Sequence, residues 1–194
     1  MQDKNLNYEY VLATILILFA SLSRLIPFLP NFQPIMGIAV FSAIIFAKNK
    51  YLAFGVPLIS MFLSDLLLSI FSVKLLGYYA GFYDTIIFTY LGFALITISS
   101  TFFIRNTKIS SLLLGSVGGA IIFFIITNFG SWLYGLDINN LPYSKDLNGF
   151  LYCYTSALPF FKNTLISSVI FTFALFGVYQ FSKNLLFEKR ITIK

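Results

Sequence analysis

Six long apolar runs with very few charged residues dominate this sequence and restrict what it can fold into. Of the 194 residues, 58% are hydrophobic and 10% are charged. About 20 apolar helical residues cross a hydrocarbon core about 30 Å thick, and five of the runs are about that long. The pattern predicts one all-α domain over residues 1–194, an integral membrane bundle of about six transmembrane helices. The predicted spans are residues 10–28, 34–47, 51–73, 85–104, 109–133 and 157–181.

The second run has only 14 residues, which is short for a crossing. Either it extends backwards over residues 31–33, or it is a re-entrant segment that does not reach the far side. Six spans with a cytoplasmic N-terminus place nine of the 13 Lys and Arg residues inside, as the positive-inside rule expects. In a five-span topology with an external N-terminus, Lys4 lies outside and Arg24 lies inside, and the bias is the same. Charge counting therefore leaves both topologies open.

Composition removes several functional classes. Histidine is absent and Cys153 is the only cysteine, which excludes disulfides within the chain, His/Cys metal sites and His-dependent catalytic triads. The net charge of +6 comes from basic residues between the apolar runs and at the C-terminus. Such residues set membrane topology and contact lipid phosphates, so we expect lipid and not nucleic acid as the partner of these charges.

Small residues line one face of two of the runs. They are Ala39, Ala43 and Ala47 in the second run and Ser111, Gly115 and Gly119 in the fifth. Small residues let helix backbones approach closely in a membrane. The pattern indicates packing within the bundle or docking to a partner membrane protein.

Two opposite charges interrupt the apolar runs at matching positions. Arg24 lies 14 residues beyond Tyr10, and Asp65 lies 14 residues beyond Tyr51. At about 1.5 Å per helical residue, each charge is about 21 Å along its run, so the two could meet at similar depth. A charge at a helix centre costs about 2.5 to 3.5 kcal/mol, and both should therefore be paired or hydrated. The pair either only pins two helices together or forms part of a ligand pocket.

Other polar residues gather toward the same end in the six-span topology. Asn128 lies near the outer end of the fifth run, Trp132 follows one turn later on the same face, and Asn163 lies early in the last run. Three prolines stiffen the first outer connection, and residues 134–156 form a second one that is rich in Tyr and Asn. A long ordered loop of this kind is either a lid over a site or part of an interfacial aromatic belt.

Four motifs resemble the signatures of an uncharacterised family of small bacterial multi-pass membrane proteins. They are RLIPFLPNFQP at residues 24–34, SDL at 64–66, TNFGSW at 127–132 and CYTSALPFFKNT at 153–164. That family is in turn similar to the substrate-binding S components of energy-coupling factor (ECF) transporters. The resemblance covers nearly the whole chain.

The resemblance implies a six-helix bundle with both termini in the cytoplasm and a vitamin-sized ligand near the outer face. A separate membrane subunit and two ATPases energise such systems, and this sequence has no G-x-x-x-x-G-K-[ST] phosphate loop of its own. The chain has Phe28 where the family tends to have His, and Ser167 and Ser168 where an acidic residue is often found. It also lacks the alanine spacing with which the first helix of S components contacts its membrane partner. These departures bear on the ligand and on the partner contact.

We therefore expect a substrate-capture subunit of the bacterial inner (cytoplasmic) membrane, without a cofactor, that binds a small vitamin- or nucleobase-like molecule and performs no chemistry. A transmembrane coupling subunit and ATPases are its possible partners. Arg24 would bind an anionic group or hold Asp65, the asparagines would form hydrogen bonds, and the aromatic rings would stack on the ligand. The expected ligand-binding residues are Arg24, Asn31, Asp65, Asn128, Trp132, Tyr152 and Asn163.

Two other functional classes are alternatives to this hypothesis. In a structural or assembly protein, the buried polar residues would only lock the helix bundle. An intramembrane aspartyl enzyme needs two carboxyl groups at one depth. Asp65 is the only acidic residue well inside an apolar run, so an aspartyl pair is excluded.

Overall fold

The computed structural model describes residues 2–26, 29–104 and 106–191, with side chains over residues 8–26, 29–104 and 106–183. Pro27, Phe28, Arg105 and Lys194, which entered the sequence analysis, lie outside the described residues. The described chain is all-helical, as predicted, and in place of strands it has one isolated bridge between Leu136 and Pro142. The helices are α1 (Gln2–Ser23), α2 (Ile35–Ile45), α3 (Lys50–Leu76), α4 (Ile86–Phe103), α5 (Ile109–Tyr134) and α6 (Leu147–Ile191).

Four of these helices are long and apolar enough to cross a membrane. They comprise Lys50–Leu76, Ile86–Phe103, Ile109–Tyr134 and Leu147–Lys183, and two shorter apolar helices cover Tyr8–Ser23 and Ile35–Ile45. Large apolar side chains remain exposed along α3 to α6, as on a surface that faces lipid. The chain is a membrane-embedded protein.

The short helix α2 lies inside the bundle. Nine of its 11 residues are buried, and it contacts each of the other five helices. It begins at Ile35 and does not extend over residues 31–33, where Asn31 has a φ of 59°. An apolar helix of this length is typical of a buried core position. Because other helices surround α2, its length is not set by the thickness of the lipid.

Contacts between helices fix their directions. The Ser21 hydroxyl donates to the Ser60 carbonyl (3.1 Å), and Arg24 contacts Asp65 further along, so α1 and α3 run in parallel. Gly37 of α2 faces Thr172 of α6, and four residues later Phe41 packs on Phe176 with ring centroids 4.9 Å apart, so α2 and α6 also run in parallel. Ser42 near the end of α2 donates to the Ala53 carbonyl near the start of α3, so α2 and α3 run in opposite directions. The start of α1 and the end of α6 therefore lie at one end of the bundle, here called the proximal end. The opposite, distal end carries the connections 24–34, 77–85 and 135–146.

The first and last helices extend beyond the predicted spans, since α1 begins at Gln2 and α6 ends at Ile191, and two predicted boundaries at the distal end were wrong. α1 ends at Ser23, so Arg24 lies in the following turn and not inside a helix. α6 begins at Leu147, ten residues before the predicted start, because Asp146 caps it: its Oδ1 accepts the Gly149 amide at 2.8 Å. Aspartate is a favoured N-cap residue, and the prediction overlooked this signal. The outer connection is correspondingly shorter than predicted.

Four of the six predicted small residues pack within the bundle, whereas Ala47 lies beyond the end of α2 and is exposed, and Ser111 is only partly buried. Ala39 and Ala43 are fully buried, and Gly115 and Gly119 face Val40 of α2. The closest backbone approach lies elsewhere, between α2 and α6. A Cβ atom on Gly37 would lie 2.6 Å from the Thr172 nitrogen and 2.7 Å from the Phe171 carbonyl carbon.

We expect Gly37→Ala to lower the free energy of unfolding by about 2 kcal/mol, because the added methyl group meets backbone that cannot move aside. Gly118→Ala in α5 is the matched control. A Cβ atom there meets nothing within 4 Å, and alanine favours the helix, so stability should be unchanged or higher. Unfolding of the two variants in the same detergent compares them, and equal stability would contradict the close approach of α2 and α6.

Candidate ligand-binding site

Arg24 and Asp65 meet, as their sequence positions suggested they could. Arg24 Nη1 lies 2.6 Å from Asp65 Oδ1. The Asp65 side chain is fully buried, and that of Arg24 is 13% exposed. Asp65 is about 22 Å from Lys50 and about 16 Å from Leu76 along α3, at about 1.5 Å per residue. The ion pair is therefore far from both ends of a spanning helix.

Hydrogen bonds extend the ion pair to two further side chains. Arg24 Nη1 also donates to Ser64 Oγ at 2.5 Å, and the Tyr90 hydroxyl donates to Asp65 Oδ2 at 2.9 Å. Both carboxylate oxygens thus accept a hydrogen bond, one from the turn after α1 and one from α4. Buried charges are tolerated when they are paired and hydrogen-bonded in this way. The network joins α1, α3 and α4 at one level of the bundle.

Part of the Arg24 guanidinium remains available. Within the described part of the chain, all of its hydrogen bonds to protein come from Nη1. Nε and Nη2 therefore keep N–H groups that can donate to a ligand. Asp65 holds one edge of the guanidinium and leaves the other edge for binding.

Beside Arg24, a cavity of about 280 Å³ opens between the helices at the distal end. Its lining combines amide, hydroxyl and guanidinium groups with phenylalanine rings and methionine side chains. The polar lining residues are Arg24, Asn31, Gln33, Tyr83, Thr85, Thr89, Thr127, Asn128, Ser131 and Thr164. The apolar lining residues are Ile35, Met36, Met61, Phe93, Phe123, Phe124, Ala157, Phe160 and Phe161.

Three of the predicted site residues line this cavity, namely Arg24, Asn31 and Asn128. Asp65 lies behind Arg24 and holds it. Asn163 does not line the cavity, but its amide donates to the Pro30 carbonyl at 2.9 Å and fixes the connection that carries Asn31. The Ser167 hydroxyl reaches the carbonyl of Asn31 itself at 3.4 Å. Asn163 and Ser167 thus act on the cavity through the position of Asn31.

The two predicted stacking residues lie outside the cavity lining. The Trp132 indole donates to the Ser144 carbonyl at 2.9 Å and packs against Phe150. Tyr152 lies 5.9 Å from Tyr143 between ring centroids and is 44% exposed. Both rings pack at the base of the connection 135–146.

That connection is ordered, but none of its residues lines the cavity. The ammonium group of Lys145 donates to the Trp132 carbonyl, and Asp137 Oδ1 accepts the Leu141 amide at 2.9 Å. These hydrogen bonds from backbone amides lower the pKa of Asp137, while burial raises the pKa of Tyr143 to about 12. Local hydrogen bonds therefore hold the connection, which contributes no residue to the cavity lining.

Several lining residues gave no signal in the sequence. Tyr83 and Thr89 share a hydrogen bond of 2.5 Å between their hydroxyls, and burial raises the pKa of Tyr83, so that its hydroxyl is uncharged near neutral pH. Phe124 and Phe161 lie within uniformly apolar runs, where a ring that faces a cavity cannot be distinguished from one that faces lipid. Gln33 stands inside the first quoted motif and could have been selected from it.

The arrangement suits reversible binding by hydrogen bonds and ring contacts. Across residues 8–26, 29–104 and 106–183, no three Cys, Asp or Glu side chains are close enough to hold a metal ion. The lining offers donors from Arg24, donors and acceptors from the amides, and apolar surface from the phenylalanines. Small-molecule sites typically combine apolar and aromatic side chains with a few polar groups, and this lining is more polar than that, with ten polar residues among 19.

Comparison with known proteins identifies the family of this chain. Residues 4–189 match the model of a family of unknown function, DUF6580, and the chain belongs to that family. No curated protein and no solved structure matches it. The fold and the family together define a multi-helix membrane protein of unknown function.

We expect Arg24→Gln to lower the free energy of unfolding by about 3 kcal/mol, because it leaves the buried Asp65 carboxylate without its cation. Asp65→Asn should cost less, since the Arg24 side chain has some contact with solvent. The double variant removes both charges and should lose less than the sum of the two single losses. Denaturant unfolding of all four proteins in mixed micelles measures the difference, and strictly additive losses would show that the two side chains are not coupled.

Proposed function

We propose that this protein is the substrate-binding membrane subunit of an ATPase-driven uptake system and captures a small organic molecule at the outer face of the cell membrane. The observation that carries the proposal is the Arg24 guanidinium, which forms part of a cavity wall while a fully buried carboxylate holds it from behind. The free N–H groups of Arg24 face this cavity, and an ion pair that only locked two helices would require neither of these features.

The distribution of basic residues supports an outward-facing cavity. The proximal half carries seven basic residues of the described chain and the distal half carries four. The proximal ones are Lys4, Lys48, Lys50, Lys108, Lys183, Lys189 and Arg190, and the distal ones are Arg24, Lys74, Lys145 and Lys162. Cytoplasmic connections carry an excess of Lys and Arg. We therefore assign the proximal end and both termini to the cytoplasm, and the distal end to the exterior.

The resemblance to the S components of ECF transporters supports the uptake role. Such subunits bind substrate near the outer face and rely on a separate membrane subunit and ATPases for energy. This sequence contains no nucleotide-binding loop of the G-x-x-x-x-G-K-[ST] type. A transmembrane coupling subunit and ATPases are accordingly proposed as partners, and the protein itself is proposed to bind and not to catalyse.

A structural or assembly role is the second candidate. It is favoured by the Asp65 carboxylate, whose two oxygens both have hydrogen-bond partners within the bundle. In that role the cavity would be incidental. The two candidates therefore differ in whether filling the cavity removes a bound molecule.

We expect gently purified wild-type protein to retain a small molecule that native mass spectrometry detects and that Ala157→Phe excludes. Ala157 lines the cavity, and a phenylalanine there would occupy much of its volume of about 280 Å³. Ser156→Phe is the matched control, because Ser156 is exposed and does not line the cavity. Absence of any retained molecule, or equal retention by both variants, would favour the structural role.

Single-cysteine labelling tests the orientation. In a Cys153→Ser background, a membrane-impermeant maleimide added to intact cells should label Asn139→Cys in the distal connection. It should not label Lys108→Cys at the proximal end until the cells are opened. Both positions are exposed, so the reverse pattern would place the cavity on the cytoplasmic side.

A further inference from the structure

We infer that the cavity selects a small aromatic or heteroaromatic monocarboxylate, with its carboxylate on Arg24 and its ring among the phenylalanines of α4, α5 and α6. This inference rests on the proposed binding function and adds the chemical class of the ligand. It follows from the charge of the lining, from the positions of its unused amide groups and of its aromatic rings, and from its size.

The charge of the lining favours an anion. Arg24 is the only Arg, Lys, Asp or Glu among the described lining residues. The nearest carboxylate, Asp65, is fully buried behind Arg24 and does not line the cavity. A cationic ligand would meet the guanidinium without an opposing charge at the cavity surface. A carboxylate could instead accept paired hydrogen bonds from Nε and Nη2, the geometry in which arginine binds carboxylates best.

The unused side-chain amides of the lining and the free edge of Arg24 belong to one segment, residues 24–33, whereas the hydroxyls of Thr85 and Ser131, which likewise make no side-chain hydrogen bond within the described chain, lie on other elements. Among the described residues, the side-chain amides of Asn31 and Gln33 make no hydrogen bond to protein, and both belong to the same connection as Arg24. By contrast, the hydroxyls of Thr127 in α5 and Thr164 in α6 donate to backbone carbonyls of their own helices at 2.8 and 3.1 Å. The polar end of a ligand therefore fits the side formed by residues 24–33.

The aromatic rings of the lining come from α4, α5 and α6, where they lie among polar residues such as Thr127, Asn128 and Ser131. Phe93 packs on Phe123 with centroids 5.0 Å apart, and Phe124 packs on Phe161 at 4.6 Å. These two pairs join α4 to α5 and α5 to α6, whereas α1 contacts only α2 and α3 among the described helices. A flat ring is the ligand surface that such rings accommodate by stacked or edge-to-face contacts.

The volume limits the ligand to one or two rings. At about 280 Å³, the cavity lies near the lower end of the range of about 300 to 1,000 Å³ that is typical of drug-sized ligand pockets. One carboxylate is also the limit set by charge, because a second one would find no other cation in the described lining.

The test compares an anionic acid, its neutral amide and a cationic amine that carry the same aromatic ring. Dissociation constants are measured by titration calorimetry for benzoate, benzamide and benzylamine, and for indole-3-acetate, indole-3-acetamide and tryptamine. We expect each acid to bind about ten-fold more tightly than its amide, as loss of a charged hydrogen bond predicts, and each amine to bind most weakly. An amine that binds as well as its acid would overturn the inference.

The double variant Arg24→Gln with Asp65→Asn tests whether Arg24 is the source of the preference. It carries no unpaired buried charge and is therefore less prone to unfold than Arg24→Gln alone. We expect its acid and amide to bind about equally, with amide binding close to the wild-type value. An undiminished preference for the acid would overturn the assignment to Arg24.

Failure of this inference can be told apart from failure of the proposed function. If wild type retains a cationic or non-aromatic molecule that Ala157→Phe excludes, the binding function stands and the ligand class is wrong. If no compound of the panel binds and no molecule is retained, both are wrong. Retention of an aromatic acid by wild type, and not by Ala157→Phe, supports both.

Discussion

The ion pair between Arg24 and Asp65 is the constraint around which the distal half of the bundle is organised. A fully buried carboxylate far from both ends of a spanning helix needs a cation and hydrogen-bond donors, and they must come from neighbouring helices. Arg24 supplies the cation from the turn after α1, and Tyr90 supplies a donor from α4. The position of three elements is thereby tied to a single carboxylate, and one edge of the guanidinium is directed toward the cavity.

The buried helix α2 explains how a cavity forms next to this ion pair. At Gly37, the backbone of α2 lies close to that of α6. The connection that precedes α2 is not helical and contains Asn31 in a left-handed conformation. Asn163 and Ser167 bind the backbone of that connection and hold it against α6. The polar connection at the distal end is therefore held in place, while α2 and α6 pack closely in the interior of the bundle.

Sequence reasoning found the helices and the ion pair because both depend on strong local signals. Apolar run length fixes the number of helices, and a charge inside such a run requires a partner. Helix ends were harder to predict from the sequence, because the cap at Asp146 and the turn at Arg24 depend on individual hydrogen bonds. The roles of Trp132 and Phe124 could not be separated, because a ring in an apolar run has the same signature whether it faces lipid, the connection or the cavity.

A cryo-electron microscopy map of the protein in a lipid nanodisc, with the molecule it retains on purification, tests most directly whether the ion pair presents Arg24 to a ligand. We expect Arg24 Nη1 within 4 Å of Asp65 and ligand density that touches the free edge of the guanidinium. Separation of the two side chains, or ligand density bound elsewhere on the bundle, would contradict it.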